Sequence, residues 1–138
     1  MTAEIEITLE MMRETFYSAV VSDALDALGY KEQSPRVDLA SRTSDGVLVG
    51  RCKTTLWEDI DFQDPSPYEL ELQAIDSCEQ DDVMICAAHG SHQSGVSGEL
   101  LSTAAKNRGC VGAIIHGAVR DISKIQKLGF ALKAEIEL

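Results

Sequence analysis

The sequence is poor in positive charge, with 12 Lys and Arg against 23 Asp and Glu and a formal net charge of −11 at pH 7. Its average field repels phosphate backbones and anionic membranes, which disfavours direct nucleic-acid binding. Any anionic ligand must be held by a local cation, a metal or a helix N-terminus that overrides the global charge. Paired C-x-x-C spacing is absent: Cys52, Cys78, Cys86 and Cys110 stand apart, and read as buried thiols rather than disulfides. The first sixteen residues are acidic and lack the basic start and apolar core of a secretion signal. No later run approaches membrane-spanning length, so the expectation is a cytoplasmic protein with no membrane partner. Low-complexity tracts, internal repeats and linkers are also lacking.

What is present suits one soluble domain over residues 1–138, with 44% hydrophobic and 25% charged residues. A chain of this size buries roughly 68% of its unfolded surface, enough for one core. Between Leu9 and Leu28 apolar residues recur at three- and four-residue steps, the signature of a helix face that Gly29 would end. Ser22 and Asp23 are candidate caps for a second helix, so one helix or two is open. Residues 31–45 read as a loop and residues 47–57 as a strand with a bend at Gly50. Asp59, Asp61 and Asp64 form an acidic turn unlike a calcium loop, and Pro67 is placed in the first turn of a helix running through Leu70, Ala74 and Ile75.

The second half alternates more clearly. A strand over 82–88, a Gly/Ser/His loop, a helix opening at Gly98-Glu99, a strand ending at Gly117, a helix opening at Asp121 and a strand from Phe130 make β-α-β-α-β, the pattern of a layered α/β domain. Seven of the ten glycines fall between Gly90 and Gly129, at the joints of these elements. Two strand-to-helix joints are the candidate site. At Ser97-Gly98-Glu99-Leu100-Leu101 a helix start leaves backbone N–H groups without helical partners. At Gly117-Ala118-Val119-Arg120-Asp121 a guanidinium stands beside a carboxylate. Twenty residues separate Glu99 from Arg120, enough for one helix and a returning strand to bring both joints to one sheet edge.

These motifs, with residues 22–29 (SDALDALG), 48–54 (LVGRCKT), 97–121 and 129–134 (GFALKA), resemble ribonuclease E activity regulator A (RraA)-like proteins, which include the class II 4-hydroxy-4-methyl-2-oxoglutarate aldolases. The resemblance implies a layered β/β/α sheet of the phosphohistidine swivelling type with flanking helices, assembled as a homotrimer or hexamer. It also implies Mg2+ or Mn2+ held directly by Asp121 and through water by Glu99, with a 2-oxo-acid substrate on the metal. By the same resemblance Gly98, Glu99, Leu100 and Leu101 present backbone to the substrate carboxylate, and Arg120 stabilises the enolate oxygen. Retro-aldol cleavage and decarboxylation both build charge there, so a Lewis acid and a guanidinium lower the barrier. The implied activity is a metal-dependent lyase releasing pyruvate. The alternative is a non-catalytic regulator that binds an RNA-degrading enzyme.

Taken singly, the residues admit plainer roles. Asp121 reads as a helix N-cap, Glu99 as a first-turn acid favoured by the helix dipole, and Arg120 as a surface ion-pair partner. Leu100 and Leu101 read as packing residues whose amides are the useful part. His89 and His92, with Cys86 or Cys110, match no familiar zinc spacing, while His116 stands where the family commonly has an acid. Two departures from the family are Ser97, where a Trp is common, and an end soon after GFALKA, where relatives continue through further strands.

Overall fold

A computed structural model of the chain describes residues 4–43 and 46–138. It divides into two compact units, Met1–Arg36 and Val37–Leu138.

The first unit carries two helices, α1 (Leu9–Thr15) and α2 (Ser18–Ala27). Thr8 caps α1 by accepting the Met11 N–H at 3.2 Å. The break falls at Phe16 and Tyr17, both extended, and not at Ser22 and Asp23, which lie inside α2. Aromatic residues are weaker helix formers than the Leu, Met, Arg and Glu before them. Gly29 ends α2 as expected: at φ 87° it lets the Gly29 N–H reach the Asp26 carbonyl and the Tyr30 N–H reach the Leu25 carbonyl. This is the Schellman closure, and its left-handed residue is one at which a side chain would be strained.

The second unit is a five-stranded sheet with three helices. Its elements are β1 (Ala40–Ser41), β2 (Arg51–Leu56), α3 (Glu69–Asp76), β3 (Asp82–Ser97), α4 (Glu99–Asn107), β4 (Gly112–Val119), α5 (Ile122–Leu128) and β5 (Ala131–Glu137). Strand order is β1-β5-β4-β3-β2, parallel throughout except for the antiparallel β1. Each neighbouring parallel pair is joined through one helix, and right-handed crossovers stepping in one direction place all three helices on one face. This is the expected layered α/β arrangement with flanking helices. Alternation along the strands supplies the core: Met84, Cys86, Ile115, Leu132 and Ala134 meet Ile75 of α3, Ala105 of α4 and Ile125 of α5. Fully burying side chains such as Ile115, Ile125 and Leu132 contributes about 1.5–3 kcal/mol each.

Several expectations need correction. Strand β2 starts at Arg51, so Val47 to Gly50 stay outside the ladder. Pro67 precedes α3, in a turn closed by Ser66 accepting the Glu69 N–H, while Asp64 accepts the Ser66 N–H at 2.8 Å. The loop expected at 31–45 contains β1, and its Ser44 and Asp45 lie outside the described residues. The loop expected after Ala88 is a continuation of β3. There His89 and Gly90 take left-handed backbone, and β3 runs ten residues, Ala87 to Ser97, while β4 advances three, His116 to Val119. The surplus bulges out of the ladder and forms one wall of the cleft described below. Finally, all four cysteines are free, but only Cys78, Cys86 and Cys110 are buried; Cys52 is exposed.

Candidate active site

The parallel order puts the C-terminal ends of β3 and β4 side by side, so the helices that follow begin next to each other. Backbone ties the joints directly: the Arg120 N–H donates to the Ser97 carbonyl at 3.0 Å. Helix α4 opens at Gly98, whose extended backbone suits any residue. Space is what demands glycine. A Cβ at Gly98 would lie 2.8 Å from Asp121 Oδ2 and 3.1 Å from Arg120 Nε.

Gly98 has no side chain with which to cap α4, and the cap comes from the other joint. Asp121 Oδ2 accepts the Glu99 N–H at 3.2 Å. Asp121 itself sits at φ 61°, ψ 29°, and its carboxylate makes no capping bond to its own helix. The simple N-cap reading is therefore replaced by a bridging role. For a non-glycine residue this left-handed backbone costs about 1–2 kcal/mol, and the cross-joint contact is what the conformation secures.

The charged groups form a short chain. Arg120 Nε lies 3.9 Å from Asp121 Oδ2, and Lys124 Nζ of α5 pairs with Glu99 Oε2 at 2.9 Å. The hydrogen bond that the Lys124 ammonium donates to Glu99 is the largest cause that holds it above its ordinary 10.5, with the charges of Glu99 and Asp121 adding to it. A cleft of about 950 Å³ opens here, and Trp57, Tyr68, Glu71 and Ser94 to Val96 line it together with Gly98 to Leu101, Arg120 and Asp121. Burial raises the Glu71 carboxyl above 4.5, against the opposing pull of Arg120.

All six residues expected from the sequence, Gly98, Glu99, Leu100, Leu101, Arg120 and Asp121, line this one cleft. Leu100 needs a correction: it is 85% exposed and does not pack, whereas Leu101 rests against the core. Glu71 and Lys124 were missed because nothing in their spacing connects them to the two joints. His116 faces Glu135, with Nε2 3.7 Å from Oε1, and does not line the cleft. His89 pairs with Glu58 at 3.0 Å.

The donor set decides which ion could fit. Among the described residues no group of three or more His, Cys, Asp or Glu is placed to hold a metal, which disfavours a closed zinc site. The two hard carboxylates that line the cleft, Glu99 and Asp121, are the donor type that Mg2+ or Mn2+ would take, ions that keep several waters and need only one or two carboxylates.

A family model described as RraA-like, Aldolase/RraA, matches residues 18–137. The chain belongs to the RraA-like family. Solved structures agree on the fold. The RNA-processing inhibitor RraA from Thermus thermophilis matches with a TM-score of 0.67 at 24% identity, over 88% of this chain and 69% of that one. RraAS2 of Streptomyces coelicolor, described as an unusual member of the RNase ES inhibitor RraA family, matches with a TM-score of 0.77 at 19% identity, over 94% of this chain and 63% of that one. A Pseudomonas syringae protein matches with a TM-score of 0.72 at 24% identity, over 94% of this chain. This RraA-like chain spans 57% of that Pseudomonas protein's length. None of its described helices is long and apolar enough to cross a membrane.

Proposed function

We propose that this RraA-like chain is a divalent-metal-dependent lyase that cleaves 4-hydroxy-4-methyl-2-oxoglutarate to pyruvate, with oxaloacetate decarboxylation as a second reaction of the same site. One observation carries the reading: Asp121 turns away from its own helix to meet the Glu99 N–H, which gathers two carboxylates, a guanidinium and a helix start around one cleft.

Each residue has a separable task. The N–H groups of Leu100 and Leu101 belong to the first turn of α4, where helix geometry offers no internal acceptor and the dipole favours an anion. They would hold the substrate carboxylate. Asp121 and Glu99 would hold Mg2+ or Mn2+. When bound, the ion supplies Lewis-acid polarisation of the substrate's 2-oxo group. Arg120, always cationic, stabilises the negative charge that gathers on that oxygen as the C–C bond breaks. Its backbone bond to Ser97 fixes where the guanidinium starts, which limits the reorganisation left for the reaction itself.

Purified protein supplied with Mg2+ or Mn2+ should release pyruvate from one or both substrates, and Arg120→Ala should lower the rate by about 10²-fold or more. Failure of the wild-type protein to release pyruvate from either substrate contradicts the reading. A second reading is supported by the description of the Thermus and Streptomyces proteins as RNA-processing or RNase inhibitors: regulation of an RNA-degrading enzyme by protein contact. Inhibition of such an enzyme that survives Asp121→Ala would favour it. The expected homotrimer or hexamer is checked by light scattering of the purified chain.

A further inference from the structure

The proposed reaction leaves a pyruvate enolate that must gain a proton on carbon. The carboxylates at the joints are engaged elsewhere: Asp121 accepts the Glu99 N–H, and Glu99 pairs with Lys124. Glu71 differs. It comes from α3, a third element of the cleft, and it is a half-buried residue that lines the cleft along with Trp57 and Tyr68.

We infer that Glu71 is a catalytic acid of this cleft, delivering the proton that converts the enolate into pyruvate; this rests on the lyase reading above. The step balances without a further reactant. In the retro-aldol direction the 4-hydroxyl proton is lost, the C3–C4 bond breaks, and its electron pair becomes the enolate. The Glu71 O–H bond then breaks, its proton goes to C3, and the resulting carboxylate is reprotonated through water by the proton lost from the hydroxyl. In decarboxylation CO2 leaves instead, and the carboxylate recovers its proton from solvent.

Three features support the assignment beyond position. Burial against the cleft wall disfavours the ionised carboxyl, so Glu71 keeps its proton to higher pH than an exposed glutamate. The charge of Arg120, from the β4–α5 joint, opposes that shift, and the Cys86 thiol of β3, pushed up to about 11 chiefly by burial, stays neutral. Glu99 and Asp121 share the cleft. The negative charge of an incoming 2-oxo acid offsets the pull that Arg120 and a divalent ion would exert on that proton. The exposed Tyr68, Leu70 and Leu72 place α3 at the cleft's solvent side, where a spent carboxylate can be reprotonated.

The test compares wild type, Glu71→Gln and Glu71→Asp. In D2O with Mn2+, wild-type protein should exchange the methyl hydrogens of pyruvate, followed by proton NMR, and should also cleave substrate. Glu71→Gln should lose about 10²-fold in both rates, while its pyruvate affinity and melting temperature stay near wild type, and Glu71→Asp should recover part of the loss. Independently of turnover, a carbon-13 NMR titration of the metal-free protein should show a carboxyl signal, absent in Glu71→Gln, with a midpoint above 4.5. Exchange and cleavage at wild-type rates in Glu71→Gln, or a loss explained wholly by weaker pyruvate binding, overturns the inference and leaves the lyase reading intact. A wild-type protein that neither exchanges nor cleaves removes both.

Discussion

The two helix starts at the cleft solve the same problem in opposite ways. Helix α4 begins at a glycine with extended backbone and no capping side chain, while α5 begins at an aspartate in left-handed backbone whose carboxylate ignores its own helix. One joint lacks a cap and the other lends one, through the Asp121 contact to the Glu99 N–H. The two joints therefore form one unit. Local stability is given up at Asp121 so that a carboxylate reaches a neighbouring helix, a pattern of strain concentrated where function is expected.

The most damaging way to break this pairing is to fill the space at Gly98. Gly98→Val places a Cβ within 2.8 Å of Asp121 Oδ2 and must displace it. A displacement of that size should cost about 10²-fold or more in pyruvate release, with the fold retained by circular dichroism. Gly95→Ala is the milder change, since the atoms nearest its Cβ belong to the Arg120 stem, at 3.2 Å and beyond, and it should cost less activity than Gly98→Val.

Asp121→Ala comes next. It removes the acceptor for the Glu99 N–H and leaves an alanine in left-handed backbone, so denaturant unfolding should show a loss of about 1–2 kcal/mol. Asp121→Asn, which tolerates that backbone and keeps an acceptor, should be closer to wild type in stability. A smaller effect is expected at Lys124. Lys124→Ala frees Glu99 from its cation and should raise Mn2+ affinity a few-fold in a calorimetric titration, without a measurable change in melting temperature.

The smallest effect concerns pH. Burial raises the Glu71 carboxyl in the folded chain. Its favourable contribution is therefore complete below 4.5 and is lost as pH rises through the higher folded value. Stability measured across that window should fall less steeply in Glu71→Gln than in wild type.

How much of this was legible in the sequence depended on whether the information was local. The β-α-β-α-β alternation, the stop at Gly29 and the two glycine-rich joints follow from periodicity and turn chemistry, while the six site residues within the joints come from the resemblance to RraA-like proteins. Tertiary context overrode local preference elsewhere. Residues 88–96 carry the Gly, Ser and His of a loop, yet Ser91 and Gly95 among them pair with β4, because the parallel ladder continues to Ser97 past the bulges. Leu100 reads as a packing residue, but in the first turn of α4 its side chain is 85% exposed. Glu71 and Lys124 reach the site from α3 and α5, and no spacing in the chain announces contacts of that kind.

A titration of free Mn2+ by electron paramagnetic resonance, run in parallel on wild type and Asp121→Ala, tests the shared site most directly. The account predicts depletion of the free-ion signal by wild type and at least about 10-fold weaker binding by the variant. Equal binding by both proteins, or none by wild type, would contradict it.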